Sequence, residues 1–142
     1  MQALFLNTPE LIEAHWGEVA DAVQGVVDRA AHGEFTVEDL KRLCDERRAY
    51  AVIFEGEHGG KCGMVYEFIF YPRFTACNIV ALGGVGVHDI LSTFFVTFKK
   101  WLHSMGVTVI EASCSSAMSR ILSRHGFAKT YEVMRDDCTD EI

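Results

Sequence analysis

The sequence predicts one α/β (α+β) domain over residues 1–142: a central mixed, mostly antiparallel sheet with helices on both faces, in the order β-α-α-β-β-β-α-β-α-β. Three observations predict it. Two stretches of helical periodicity open the chain, a hairpin-like pair of aromatic and β-branched runs follows Ala49, and the second half alternates helices with short strands. Hairpin-linked strands followed by helix-linked strands make a largely antiparallel sheet covered on both sides. At 142 residues, 49% hydrophobic and 23% charged, the chain has the size and composition of a single globular domain. Such a chain buries roughly two-thirds of the surface its unfolded form exposes, so the core needs no metal or disulfide staple.

Residues 2–6 (Gln-Ala-Leu-Phe-Leu) read as a first strand. Thr8-Pro9-Glu10 then starts a helix with a capping hydroxyl, proline at the first helical position and an acid facing the dipole. Ile12, Trp16, Val19, Val23, Val26 and Ala30 follow at steps of three and four along one face, and Gly33 ends the helix. Thr36 and Asp39 form a capping box in which aspartate replaces the usual Glu/Gln, opening a second helix through Leu40 and Leu43 to about Arg48. The charge run from Lys41 to Arg48 reads as its solvated face.

Residues 50–56 and 61–71, separated by Glu57-His58-Gly59-Gly60, read as an antiparallel hairpin. In its second arm Cys62, Met64, Tyr66, Phe68 and Phe70 share one face, and Val65, Glu67 and Ile69 share the other. Both faces are largely apolar, which predicts a central strand. Pro72-Arg73 breaks it, and residues 74–82 form the next strand, running into Gly83-Gly84-Val85-Gly86. Ile90, Leu91, Phe94, Phe95, Phe98, Trp101 and Leu102 mark a long helix with a wide core-facing stripe, closed by Lys99, Lys100 and Gly106. Val107 to Ala112 is a short β-branched strand. Ser115 or Ser116 caps a helix that carries Met118, Ile121 and Leu122 and ends at Gly126. Phe127 to Met134 reads as a final strand, and the acidic tail from Asp136 is expected to fray.

Composition excludes some classes of partner. The net charge of −7, from 13 Lys+Arg against 20 Asp+Glu, argues against nucleic acid, whose binding is dominated by phosphate neutralisation. It favours cationic small molecules or basic protein surfaces. No apolar run approaches the ~20 residues of a membrane span, and no basic stretch followed by an apolar one suggests a signal peptide. The expectation is a soluble, cytoplasmic domain with no membrane partner. Cys44, Cys62, Cys77, Cys114 and Cys138 lack C-x-x-C spacing, and the six histidines form no metal-ligand pairs. Reduced thiols and no metal are expected.

Gly83, Gly84 and Gly86 let the backbone approach a ligand closely, and the helix that follows points unpaired N–H groups at it. A pyrophosphate fits such a place; the other reading is a flexible strand-to-helix turn without a ligand. Asp89, near the helix start, repels phosphate or serves as a helix cap.

The hairpin, the strand ending in a Gly-rich turn, the long helix, the short strand and the helix closing in Arg124-His125-Gly126-Phe127 stand in an informative order. In that order, over essentially the whole chain, they resemble the GNAT superfamily of N-acetyltransferases. The resemblance implies acetyl-coenzyme A as cofactor, its pyrophosphate held by Leu82, Gly83, Gly84, Val85, Gly86, Val87 and His88, with Ser115 at a further contact position. It also exposes departures. Aligning Gly84 and Gly86 to the family's Q/R-x-x-G-x-G/A motif puts Ala81 where Gln or Arg is usual. The family's tyrosine acid, five residues before the Phe of Gly-Phe, is replaced by Leu122, and an asparagine common near the start of the same helix by Ser115.

Acetyl transfer to an amine needs positioning, a base for the amine, donors for the oxyanion and an acid for the thiolate. Glu67, mid-strand among apolar neighbours, is a candidate base, or a carboxylate paired with arginine or reaching solvent at an edge. Glu111, near the end of a short strand, is a second candidate base beside the expected cofactor cleft. Tyr131 is a candidate replacement acid, and otherwise a core or rim tyrosine. His88 is a phosphate contact, a base or a polar turn residue. Cys114 precedes a helix N-terminus, where a thiolate is stabilised, but no base is visible beside it.

Two functions follow from the resemblance. One is an N-acetyltransferase acting on a small-molecule or protein amine, such as a polyamine, an aminoglycoside or a lysine side chain. The other is a catalytically silent GNAT-like structural or assembly protein, of the kind found among bacteriophage virion proteins, working through a protein partner or as a homodimer. In that setting its location is the host cytoplasm or the virion.

Overall fold

The structure, a computed structural model, describes residues 2–139. Strand β1 (Gln2–Phe5) leads into helix α1 (Pro9–Ala30). The Thr8 hydroxyl accepts the Leu11 N–H at 3.1 Å, so the expected cap is formed. The helix stops three residues before Gly33, through His32 and Gly33 in the left-handed region. Helix α2 (Val37–Asp45) opens on a reciprocal box: the Thr36 hydroxyl accepts the Asp39 N–H and the Asp39 carboxylate accepts the Thr36 N–H. Thr36→Ala removes one half of that box and is expected to lower unfolding free energy by about 1 kcal/mol, read as a lower urea midpoint at unchanged slope. The charge run lies on the outside, where Lys41 bonds Glu13 of α1 and Asp45 of its own helix.

Strands β2 (Tyr50–Glu55), β3 (Lys61–Phe70), β4 (Thr75–Gly84) and β5 (Val107–Ala112) complete a sheet of order β1-β2-β3-β4-β5. The first three pairings are antiparallel and the last, β4 with β5, is parallel. Strand β3 is central, as its two apolar faces predict. One face of the sheet carries Val65, Ala51 and Ala81 beneath α1 and α2. The other carries Met64, Tyr66, Cys77 and Leu82 beneath the later helices. Helix α1 lies so close to the sheet that a Cβ at Gly63 would sit 3.0 Å from the Ala22 Cβ. Glycine is what permits that approach.

The helix after β4 is not the uninterrupted α-helix its periodicity predicts. It runs as α3 (Val87–Asp89), a π-helical turn (Ile90–Phe94) and α4 (Phe95–Ser104). Within the π turn the Ser92 and Thr93 hydroxyls donate to the carbonyls of His88 and Asp89 at 2.8 and 2.6 Å, competing with the helical ladder. The wider turn carries Phe94 onto Phe54, ring centroids 4.5 Å apart, while Phe95 and Phe98 stay in the core. Trp101, expected in the core stripe, is half-exposed and packs against Phe5 and Phe98. Helix α5 (Ser116–Ser123) follows β5.

The final strand expected over 127–134 does not form: these residues run without regular structure, leaving Tyr131 67%, Val133 64% and Met134 89% exposed. A strand needs a ladder and a face to bury, and β-type side chains alone supply neither. Of the acidic tail, residues 136–139 are irregular and the rest lie outside the described residues. Among the described residues no helix is long and apolar enough to cross a membrane.

Candidate functional site

The parallel pair β4/β5 ends early. Its register runs from Thr75↔Val107 to Ile79↔Ala112, whereas β4 continues to Gly84. The antiparallel register of β4 with β3 also slips here, from Val65↔Ala81 to Tyr66↔Ile79, so Val80 is the extra residue of a bulge. Strand β5 ends at Ala112, its last paired residue, while β4 runs on, and a small cleft of about 70 Å³ lies between the end of β4 and the chain leaving β5. Val26 and Val80–Leu82 form one wall, and Ala112–Ser115, Met118 and Leu122 the other. The carboxyl ends of parallel strands are where α/β sheets take ligands. A broader hollow between α1 and α2 lies away from these strand ends, and its rim residue Lys41 is committed to internal ion pairs.

The Gly-rich turn continues from the cleft, and its three glycines do different jobs. A Cβ at Gly83 would lie 2.5 Å from the Ala22 carbonyl oxygen, so this glycine serves the packing of α1. Gly84, at φ +111°, would drive a Cβ into the Lys61 carbonyl and to 2.8 Å from the Cys62 Cα, so it serves the pairing of β3 with β4. Only Gly86, at φ +93°, has open space around it. The Val85 N–H is used by the Lys61 carbonyl and the Val85 carbonyl accepts the Cys62 thiol. Among the described residues the N–H groups of Gly86, Val87 and His88 meet no backbone acceptor. Gly86, not Asp89, occupies the cap position, without a side-chain cap. His88 is exposed, its Nδ1 facing the His125 Nε2 at 3.4 Å, which links this turn to the end of α5. Leu82 points into the core and Val85 into solvent.

In the paired part of the sheet, one position before Ile79 and Ala112, lies a polar row. Glu67 stands opposite Asn78 on β4, and Asn78 opposite Glu111 on β5, so the three side chains share the α1/α2 face of the sheet. Adjacent strands are about 4.8 Å apart, which puts the two carboxylate-bearing backbones about 10 Å from each other. Partial burial pushes the Glu67 carboxyl above its ordinary range, opposed by the Arg48 charge and a hydrogen bond from Asn78. Glu111 accepts the Tyr71 hydroxyl at 2.7 Å. That bond to Glu111, followed by burial, pushes the Tyr71 phenol up to about 12. Tyr131 also reaches the Tyr71 phenol, although it lies on the irregular tail and not on the strand expected for it. The tail is held further along by an ion pair of Arg135 with Glu34, in the α1–α2 connection.

Other expectations change with the geometry. Ser115, not Ser116, caps α5, and its hydroxyl is spent accepting the Met118 N–H at 3.2 Å, so only its position lines the cleft. Leu122 is 4% exposed in the cleft wall, leaving no acid at that position. Cys114 also lines the cleft, but burial raises its thiol rather than stabilising a thiolate. Sequence reasoning missed Asn78 and Tyr71. Asn78 was detectable as a polar residue inside an apolar strand; Tyr71, at a strand end before Pro72, carried no comparable signal.

The architecture is that of a mixed α/β protein with a cleft where its one parallel strand pair ends. It is the GNAT fold, shared with solved acetyltransferases. The aminoglycoside 6'-N-acetyltransferase of Acinetobacter haemolyticus is 13% identical, with a TM-score of 0.64 over 99% of this chain and 100% of that one. A predicted acetyltransferase with acetyl-CoA from Clostridium acetobutylicum is 10% identical, with a TM-score of 0.63 over 96% of each chain. Glucosamine-6-phosphate N-acetyltransferase from Arabidopsis thaliana is 14% identical, with a TM-score of 0.57 over 98% of this chain and 100% of that one. At such identities the likeness is one of fold. No protein-family model and no curated protein matches the sequence.

Proposed function

We propose that this chain is an N-acetyltransferase that moves an acetyl group from acetyl-CoA to a cationic amine, in a ternary complex without a covalent enzyme intermediate. The observation that carries this reading is the cleft where β4/β5 pairing ends at Ile79 and Ala112, with Glu111 in the last paired positions before it and, where β4 ends, a turn whose N–H groups meet no backbone acceptor. The seven residues from Asn78 to Gly84, the end of β4, span about 20 Å of extended chain, suited to a long, thin ligand. Gly86, Val87 and His88 would hold the pyrophosphate through their N–H groups, Gly86 because nothing crowds it. Gly83, Gly84 and Leu82 shape the turn from behind, and Val85 lies outside it.

Acetyl-CoA supplies a thioester whose C–S bond breaks as the amine forms its new C–N bond, leaving a thiolate. Glu111 accepts the proton that the amine gives up, and Glu67 adds negative charge on the same face for a cationic acceptor. Tyr131 stands on the acceptor side, held to Tyr71, and not beside Leu122 where a leaving thiolate would need an acid.

The test is calorimetric titration with acetyl-CoA and desulfo-CoA. Micromolar binding is expected, and Gly86→Asp is expected to weaken it at least about tenfold by placing an anion at the phosphate end. A second reading, a silent GNAT-like assembly protein of the bacteriophage virion type acting through partners or as a homodimer, draws on the buried Leu122 and the spent Ser115 hydroxyl. Absence of binding up to millimolar ligand would decide for it.

A further inference from the structure

Tyr71 belongs to no strand or helix, yet it makes a long-range side-chain bond to the polar row, forty positions from Glu111 in sequence. We infer that Tyr71 is the positioning residue for the Glu111 carboxylate, an inference that rests on the acetyl-transfer reading above. Its hydroxyl occupies Glu111 Oε1 at 2.7 Å, and among the described residues no other hydrogen bond to this carboxylate is formed. Oε2 is therefore the oxygen free to take a proton. A base whose orientation is set by a third group is the arrangement that proton transfer from a bound nucleophile requires.

The phenol is itself pre-set. Pro72 restricts the backbone of Tyr71, and its ring lies 5.0 Å from that of Phe74. Because the phenol is pushed up to about 12, it stays protonated at any working pH. A neutral phenol donates to Glu111 and is far too weak a base to take up the amine proton in its place. During transfer the proton moves from the acceptor nitrogen to Glu111 Oε2, and the Tyr71 hydrogen keeps its place on Oε1. The groups around this pair are Tyr131 from the tail, Asn78 and Glu67 from the neighbouring strands, and Arg48, whose charge acts on Glu67.

Tyr71→Phe keeps the ring on Phe74 and removes only the donor. Thiol release from acetyl-CoA is followed with spermidine, lysine and glucosamine as probe acceptors. In the variant kcat is expected to fall about tenfold, the scale of one hydrogen bond, while the KM for acetyl-CoA and the calorimetric affinity for desulfo-CoA stay unchanged. A purely structural role would move stability and cofactor affinity instead. A second readout needs no turnover. In protein carrying ring-carbon-labelled tyrosine, the resonance lost in Tyr71→Phe is expected to be the one displaced by Glu111→Gln. Equal kcat in wild type and Tyr71→Phe, or a resonance unmoved by Glu111→Gln, overturns the inference alone. A wild-type chain that binds no acetyl-CoA, or transfers to none of the probes, overturns the acetyl-transfer reading and this role with it.

Discussion

Gly84→Ala is expected to cost the folded state more than about 4 kcal/mol, whereas Gly86→Ala costs only about 1–2 kcal/mol. The two residues look alike in sequence and both adopt positive φ. Their surroundings separate them. A side chain at Gly84 meets the backbone of β3, the Lys61 carbonyl and the Cys62 Cα, and neither can rotate away. Relief would require β3 and β4 to part where Cys62 pairs with Gly84, at the edge of the larger core cluster. At Gly86 only backbone strain is added, because the space is open. Urea denaturation of the two variants checks this, and equal midpoints would contradict it. The consequence for testing the proposed function is practical: a Gly84→Asp variant would report misfolding, so the Gly-rich turn is probed through Gly86.

Glu111→Gln is expected to lower kcat for acetyl transfer by about 10²–10⁴-fold, the usual contribution of a general base, with little change in affinity for acetyl-CoA. Glutamine keeps the size of the side chain and an oxygen for the Tyr71 hydroxyl, but it cannot take up a proton. Glu67→Gln is the internal comparison. Glu67 lies two strands away across Asn78, so its loss should act on the KM for a cationic amine more than on kcat. Steady-state kinetics with the same acceptors at saturating acetyl-CoA separates the two. If Glu67→Gln abolishes turnover and Glu111→Gln does not, the roles are reversed.

The local signals were legible. Thr8 with Pro9, and Thr36 with Asp39, start helices in the structure as their capping chemistry predicts. Val107–Ala112 is a strand over the expected span. The apolar face pattern of β3 correctly made it central. Failures came where two parts of the chain had to agree. Phe127–Met134 has strand-type side chains but no pairing, and Trp101 fits the helical stripe yet lies at its exposed margin. The π turn arose from Ser92 and Thr93, whose hydroxyls draw on carbonyls that a regular helix would use otherwise.

The candidate site divides in the same way. Glu67 and Glu111 could be singled out because a carboxylate among apolar strand residues is unusual, and the Gly-rich turn because glycine is read in any context. The sequence by itself determined the elements, their order and the sheet's largely antiparallel character, since caps, breakers and side-chain periodicity act over a few neighbouring residues. Only the tertiary structure decided where β4/β5 pairing ends, which glycine faces packing and which faces open space, and that Tyr71 holds Glu111. Those facts depend on register and on contacts between residues tens of positions apart, and no local propensity encodes them.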